Sequence, residues 1–255
     1  MFNPSKEDLY VVLDSAEGNG CTFEVVQYKK LTGSYEEKHS SSYIRKLGQV
    51  RISLNGGEIV TEAGALQFMK GKVNMKVESS LGSSARGFLG SVLTNESSVK
   101  PRYNGYGEVY LEPAYDHFLL LVLDNELLIA DKGIFYSCEA SIEVGVFKQK
   151  NVSAALASGE GLFQTQLKGS GVVVLQSPVT AEEIIVYELN NETLQVDGNY
   201  SILRRGNIDF TVEKSTKSII GSARSGEGLL QTFRGTGEVW LIPALKTLRP
   251  FTPGL

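Results

Sequence analysis

GEGLFQTQLKGSGVVVLQSP at 159–178 and GEGLLQTFRGTGEVWLIP at 226–243 are two versions of one phrase. The closing part, a Gly-x-Gly followed by an apolar run, returns as GYGEVYLEP at 105–113. Copies spaced about 66 residues apart identify a repeat as the unit of construction. Outward from the phrase the register holds. A constant shift carries Leu54 onto Leu123, Ile59 onto Leu128, Gly64 onto Gly133 and Val73 onto Ile142, and a second shift, with one residue dropped, reaches Leu189, Leu194, Gly198 and Ile208. Val73-Met75-Val77, Ile142-Val144-Val146 and Ile208-Phe210-Val212 alternate alike. That period of two is the mark of strands with one buried face.

One such unit cannot bury its own apolar face, so the copies are expected to pack on each other. The expected fold class is therefore all-β: a pseudo-threefold, sandwich-like or barrel-like body of three repeated antiparallel units, about twelve to fifteen short strands in all. The repeats run over 48–113, 117–178 and 183–243 of a domain spanning 48–255, followed by a C-terminal tail, ALKTLRPFTPGL, whose prolines bar a long central strand. Residues 1–47 stand outside the repeat. Leu9 to Leu13 and Cys21 to Tyr28 flank SAEGNG as a hairpin, and GSYEEKHSSSYIRKLG is an exposed loop or an irregular arm; both are expected to pack on the body. Gly64, Gly133 and Gly198, each just before an apolar strand, are read as turn residues at positive φ. The SAA-like and SAR-like stretches before the repeated phrase are too short for stable helices and are read as loops.

The 255 residues are 42% hydrophobic and 21% charged, with a net charge of -4 and a pI near 5.4. That balance argues against nucleic acid as a partner, since such binders carry a basic face. There is no apolar run long enough to span a bilayer and the first residues, MFNPSKEDLY, are polar, so a cytoplasmic location is expected. Cys21 and Cys138, each beside strand-like residues, are expected as buried thiols, not a bridge.

The inventory for chemistry is thin. His39 falls in the serine-rich arm as a solvated residue and His117 at a strand edge; no HxH, CxxC, HExxH or GxSxG occurs, so no catalytic residue, metal ligand or cofactor is assigned. Glu160 and Glu227 share a GEG context, and Glu108 and Glu238 follow the Gly-x-Gly. A ring of such carboxylates could hold a cation, against the plainer reading of charges beside turns, and Val172 breaks the ring in the middle copy. Gly82, Arg86, Gly87 and Phe88 in LGSSARGFLG, with Arg224 in GSARSGEG, form the candidate ligand or partner loop: amides and an arginine for an anion, apolar side chains for a partner. Peripheral membrane contact lacks the basic cluster it would need. Trp240, in the place of Tyr110 and Val174, is read as core or interface filler.

The phrases GGEIVTEAGALQFMKG at 56–71 and GEGLFQTQLKGSGVVVLQSP at 159–178 resemble those of the AIM24 family, formerly a domain of unknown function (DUF124), and the resemblance runs from about residue 48 to about residue 243. It implies a fold like that of the tryptophan RNA-binding attenuator protein (TRAP-like). It also implies a kinship with eukaryotic members associated with the mitochondrial inner membrane and with bacterial members that have no established activity. No catalytic residues come with it. The resulting expectation is a non-enzymatic binding or scaffold protein with itself or another protein as partner. The alternative is a small-molecule or anion-binding module using the glycine-rich loops near Arg86 or Arg224.

Overall fold

The computed structural model describes residues 6–36, 42–77, 100–148, 163–197, 200–214 and 229–243. Over these residues the chain is all-β apart from one helical turn, α1 (Lys6–Leu9), and a 3-10 turn at Ala181–Glu183. The described strands are β1 (Tyr10–Gly18), β2 (Cys21–Glu36), β3 (Ser42–Thr61), β4 (Leu66–Val77), β5 (Pro101–Leu111), β6 (His117–Ala130), β7 (Phe135–Glu139), β8 (Glu143–Lys148), β9 (Phe163–Ser177), β10 (Ile185–Asp197), β11 (Ser201–Lys214) and β12 (Leu229–Leu241). They form one antiparallel sheet ordered β1-β2-β3-β7-β9-β6-β11-β12-β10, with β4 and β5 branching from β3 and β8 continuing β7 along β9.

The sequence repeat reappears as a repeated pairing. In each copy the last strand lies between the first two: β5 pairs β3 and β4, β9 pairs β6 and β7/β8, and β12 pairs β10 and β11. Positions that the sequence equates take equivalent partners, with Leu54 opposite Gly107, Leu123 opposite Gly171 and Leu189 opposite Gly237. Neighbouring copies join through three-residue ladders at strand ends. Ile59–Thr61 of β3 meets Ser137–Glu139 of β7, and Leu128–Ala130 of β6 meets Leu203–Arg205 of β11.

Three elements differ from the sequence expectation. The described strands are longer than expected, three in the first and last copies and four in the middle one, because the Gly-x-Gly lies inside the last strand of each copy and not in a turn. Gly105 and Gly107, Gly169 and Gly171, and Gly235 and Gly237 have φ of 127 and 155, 136 and 141, and 137 and 150°. Such angles belong to glycine. Opposite each pair the first strand carries one extra residue, a bulge with Gly56, Asn125 or Asn191 at positive φ. The hydroxyls between the later glycines cap it: Ser170 Oγ accepts from Asn125 N at 2.8 Å and Thr236 Oγ1 from Asn191 N at 3.1 Å. Second, the polar arm is largely strand, since β2 and β3 keep pairing from Thr32 opposite Lys46 to Glu36 opposite Ser42. A ladder already nucleated by Phe23 and Ile52 extends through polar residues because its bonds are backbone bonds. Third, β4 and β10, the outer strands of the first and last copies, make no pairing with each other among the described strands, so the pairings themselves do not join the last copy to the first.

Gly64 and Gly133 do occupy turns, at φ 80 and 81°. Gly198, the SAA-like and SAR-like stretches and the C-terminal tail from 244 lie outside the described residues. Among the described residues no helix is long and apolar enough to cross a membrane.

Among the described residues two large cores, one built on Phe23, Ile52, Ile59 and Val109 and the other on Leu123, Leu128, Leu167 and Leu203, contrast with a third of four buried residues, Leu189, Val196, Phe233 and Val239. A fully buried leucine or isoleucine stabilises by about 2 kcal/mol, so the described part of the last copy draws least on a core of its own and leans on the second core through Ile202, Leu203 and Ile242. Gly237→Ala puts a Cβ onto the carbonyl oxygen of Arg205 and should lower unfolding free energy by about 3 kcal/mol in urea titration. Gly64→Ala, with no atom within 4 Å of the new Cβ, should cost less, about 1 kcal/mol from φ alone.

Candidate functional site

The junctions between copies create two clefts in equivalent positions. Each lies where the bulge of one copy's first strand faces the second strand of the next. The cleft between the first and second copies, about 310 Å³, is lined by Asn19, Gly20, Asn55–Glu58 and Glu139–Ser141. That between the second and third, about 580 Å³, is lined by Asn125–Leu127, Arg205–Asn207, Gly237 and Glu238.

The first cleft is partly filled by the chain itself. The Asn19–Gly20 turn of the β1–β2 hairpin seats on the bulge, with Gly20 O accepting from Asn55 N at 2.8 Å and Gly57 N at 2.9 Å. Glu139 clamps the other side. Its carboxylate, on a residue only 4% exposed, accepts from Asn19 N and Val172 N, both at 2.6 Å. Charge-assisted bonds from two amides offset the desolvation of a buried carboxylate. Gly18 and Gly171 make room, since a Cβ on either would lie 2.6 Å from the Glu139 carboxyl group. Burial, and then the Glu139 carboxylate, push the Cys21 thiol up to about 12, so it stays protonated and inert. Cys138 is shifted upward as well, by burial first, and both cysteines are free and buried.

A local substitution explains why Glu139 turns inward. In the first and last copies the second strand passes the Gly-x-Gly through Gly71 and Gly206, at φ 104 and 92°. The middle copy has Ala140 at that place, and an alanine strongly disfavours such an angle. The strand therefore breaks into β7 and β8 through a turn in which Ile142 N bonds Glu139 O at 3.0 Å.

In the second cleft the charges are reversed. Arg205 occupies the place of Glu139, and Glu238 the place of Val172. Arg205 Nε and Nη2 donate to the two carboxylate oxygens of Glu238 at 2.9 Å each, Trp240 Nε1 donates to Glu238 Oε2 at 2.8 Å, and Arg205 Nη1 lies 3.6 Å from Glu126 Oε2. The Arg205 bonds hold the Glu238 carboxyl below the usual carboxylate range against a smaller opposing effect of burial. Hydrogen bonding to Glu238 raises Arg205 in turn. Trp240 thus acts as filler and as a brace, packed against the second core.

Beside this cleft, Arg204 is 3% exposed with its guanidinium between the rings of Phe147 and Phe210, at 4.9 and 4.7 Å. Nη1 donates to Gln164 Oε1 at 2.7 Å, while Nη2 is buried without a hydrogen-bond partner. Burial lowers its pKa to about 10, against the opposing charge of Asp131.

The structure redistributes the residues singled out in the sequence. Glu108 and Glu238 do not converge as a ring: Glu108 faces Arg51 Nη1 at 3.8 Å and Glu238 is held by Arg205. His117 opens β6 opposite Ser177. Gly82, Arg86, Gly87, Phe88, Glu160, Arg224, Glu227 and His39 lie outside the described residues. Among the described residues no three His, Cys, Asp or Glu side chains gather as a metal ion would require. Sequence reasoning missed Glu139, Arg204 and Arg205. The one signal for the first was Val172, where the other copies place glutamate.

The geometry of the clefts makes two changes measurable. Glu139→Gln turns an amide donor toward a backbone donor and should destabilise by about 2–4 kcal/mol in chemical denaturation, although it is isosteric. Glu58, depressed chiefly by its bond from Asn104 and then by Arg102, joins Glu238 in having a folded-state pKa below its unfolded value. Their stabilisation is complete above the ordinary carboxylate range and is lost as pH falls through the depressed values. Thermal unfolding tracked from neutrality downward should show the melting temperature fall below about pH 4.5, less steeply in Glu238→Gln.

Comparison with known proteins agrees with this architecture. A Streptococcus pyogenes protein solved by structural genomics matches with a TM-score of 0.56 and 20% identity, over 87% of this chain and 100% of that one, which shows a shared fold. An uncharacterised protein of Streptococcus pyogenes serotype M6 is 24% identical over 202 residues, 75% of this chain and 79% of the relative. The family model described as mitochondrial biogenesis AIM24 matches residues 43–244, and the chain belongs to that family.

Proposed function

We propose that the protein is a non-enzymatic scaffold that works by associating with copies of itself. The observation that supports this reading is that the outer strands of the first and last copies, like the N-terminal β1, are paired on one side only among the described strands. Among the described strands β4 is laddered to β5 alone and β10 to β12 alone, and both expose apolar side chains: Phe68, Met69, Met75 and Val77 on one, Ile185, Val186 and Tyr187 on the other. Monomeric proteins blunt long edge strands or cover them, since unpaired amides and carbonyls beside apolar residues invite another strand. Among the described residues the third core is the smallest, and burial added there by a second subunit would stabilise the chain. Glu139 in the first cleft and the Arg205–Glu238 pair in the second find their partners within the chain, which suits a structural role for them.

Light scattering coupled to size exclusion from about 1 to about 100 µM should give a mass above that of one chain, with a melting temperature that rises with concentration. A single-chain mass throughout that range would refute self-association.

A further inference from the structure

We infer that β4 of one copy pairs with β10 of the next, making between chains the junction that the chain makes twice within itself; this rests on the self-association proposed above. The two internal junctions obey one rule. The end of a copy's first strand pairs antiparallel with the start of the next copy's second strand, as Val60 opposite Cys138 and Ile129 opposite Arg204. The third copy's first strand is β10 and the first copy's second strand is β4, and among the described strands neither has a partner on its outer edge. Carried forward by the repeat register, the rule sets Val196 opposite Phe68, Gln195 opposite Met69 and Leu194 opposite Lys70.

Chemistry supports that register. In the junction between second and third copies, Arg205 reaches Glu126 of the bulge. The equivalent residues of the open junction are Lys70 and Glu192, again a cation on the second strand and an acid on the bulge. The strands as wholes are complementary as well: β4 has Lys70, Lys72 and Lys76 and no acid, whereas β10 has Glu188, Glu192 and Asp197 and no base. Like edges repel and unlike edges attract, so the contact is heterologous, head to tail. Phe68, 48% exposed and stacked on Tyr110 at 4.4 Å, and the third core's Val196 then lie beside one another at the new boundary.

The test uses the full chain. Lys70→Glu or Glu192→Lys should weaken assembly about tenfold or more, which is ~1.4 kcal/mol, and the double reversal should restore it. Met69→Cys copies mixed with Gln195→Cys copies and mildly oxidised should give a disulfide-linked species of twice the chain mass, the native thiols being buried. Assembly that ignores both reversals and yields no cross-link overturns this surface while leaving self-association standing. A chain that stays monomeric overturns both. A Met69→Cys/Gln195→Cys double variant that cross-links only within one chain overturns the contact between copies and assigns the junction to closure of a single molecule.

Discussion

Everything in the sheet depends on how closely the second and third strands of each copy approach at the Gly-x-Gly. Side chains there would overlap the opposite strand: a Cβ on Gly107 would strike Lys70 O and one on Gly237 would strike Arg205 O, while one on Gly169 would lie 2.7 Å from Ser141 O. With hydrogen in place of Cβ, the third strand bends without leaving the ladder, and the first strand absorbs the bend with one extra residue. The bulge then faces the neighbouring copy, so a constraint local to two glycines sets where the copies meet and where the clefts open.

In the middle copy the constraint is relaxed at one position, and two neighbours change with it. Ala140 interrupts the strand, Glu139 swings onto backbone amides, and Val172 stands where a glutamate would be left facing a carboxylate. The N-terminal hairpin completes the exchange. Gly57 occupies the place of Glu126 and Glu192, and a Cβ there would lie 2.5 Å from Gly20 O, so the bulge of the first copy is bare because the Asn19–Gly20 turn rests on it. Gly18, Gly20, Gly57, Ala140, Glu139 and Val172 are one set of mutually dependent choices, spread over more than half of the sequence and meeting at one junction.

Much of the architecture was legible because burial alternates with period two and turns need glycine. Leu54, Leu123 and Leu189 fell into register, and Gly64 and Gly133 were recognisable as turns. What escaped has a physical reason. Turn glycines and mid-strand glycines share the same letter, so the Gly-x-Gly read as an end and not as a bend. The polar arm carried no alternation, yet it extends β2 and β3 because ladder bonds do not depend on side chains. The clefts were unreadable for a different reason. Glu139 meets Asn19 only where the N-terminal hairpin seats on a junction, and Arg205 meets Glu126 only through the pairing between copies, and a repeat aligned on itself reveals which positions are equivalent without saying which ones touch.

Charge then decides between the ways in which open edges could be used. Two β4 strands laid side by side would bring lysine against lysine, and two β10 strands would bring acid against acid, each at spacings where like charges across a sheet are destabilising. The apolar residues on both edges supply attraction without direction, and left alone they would permit any pairing. Lysines confined to β4 and carboxylates confined to β10 disfavour the symmetric pairings of either strand with itself and favour the proposed one, which continues the internal repeat. An edge blunted only against aggregation would gain as much from lysines on both strands. The segregation of signs is what a strand selected for one partner strand requires.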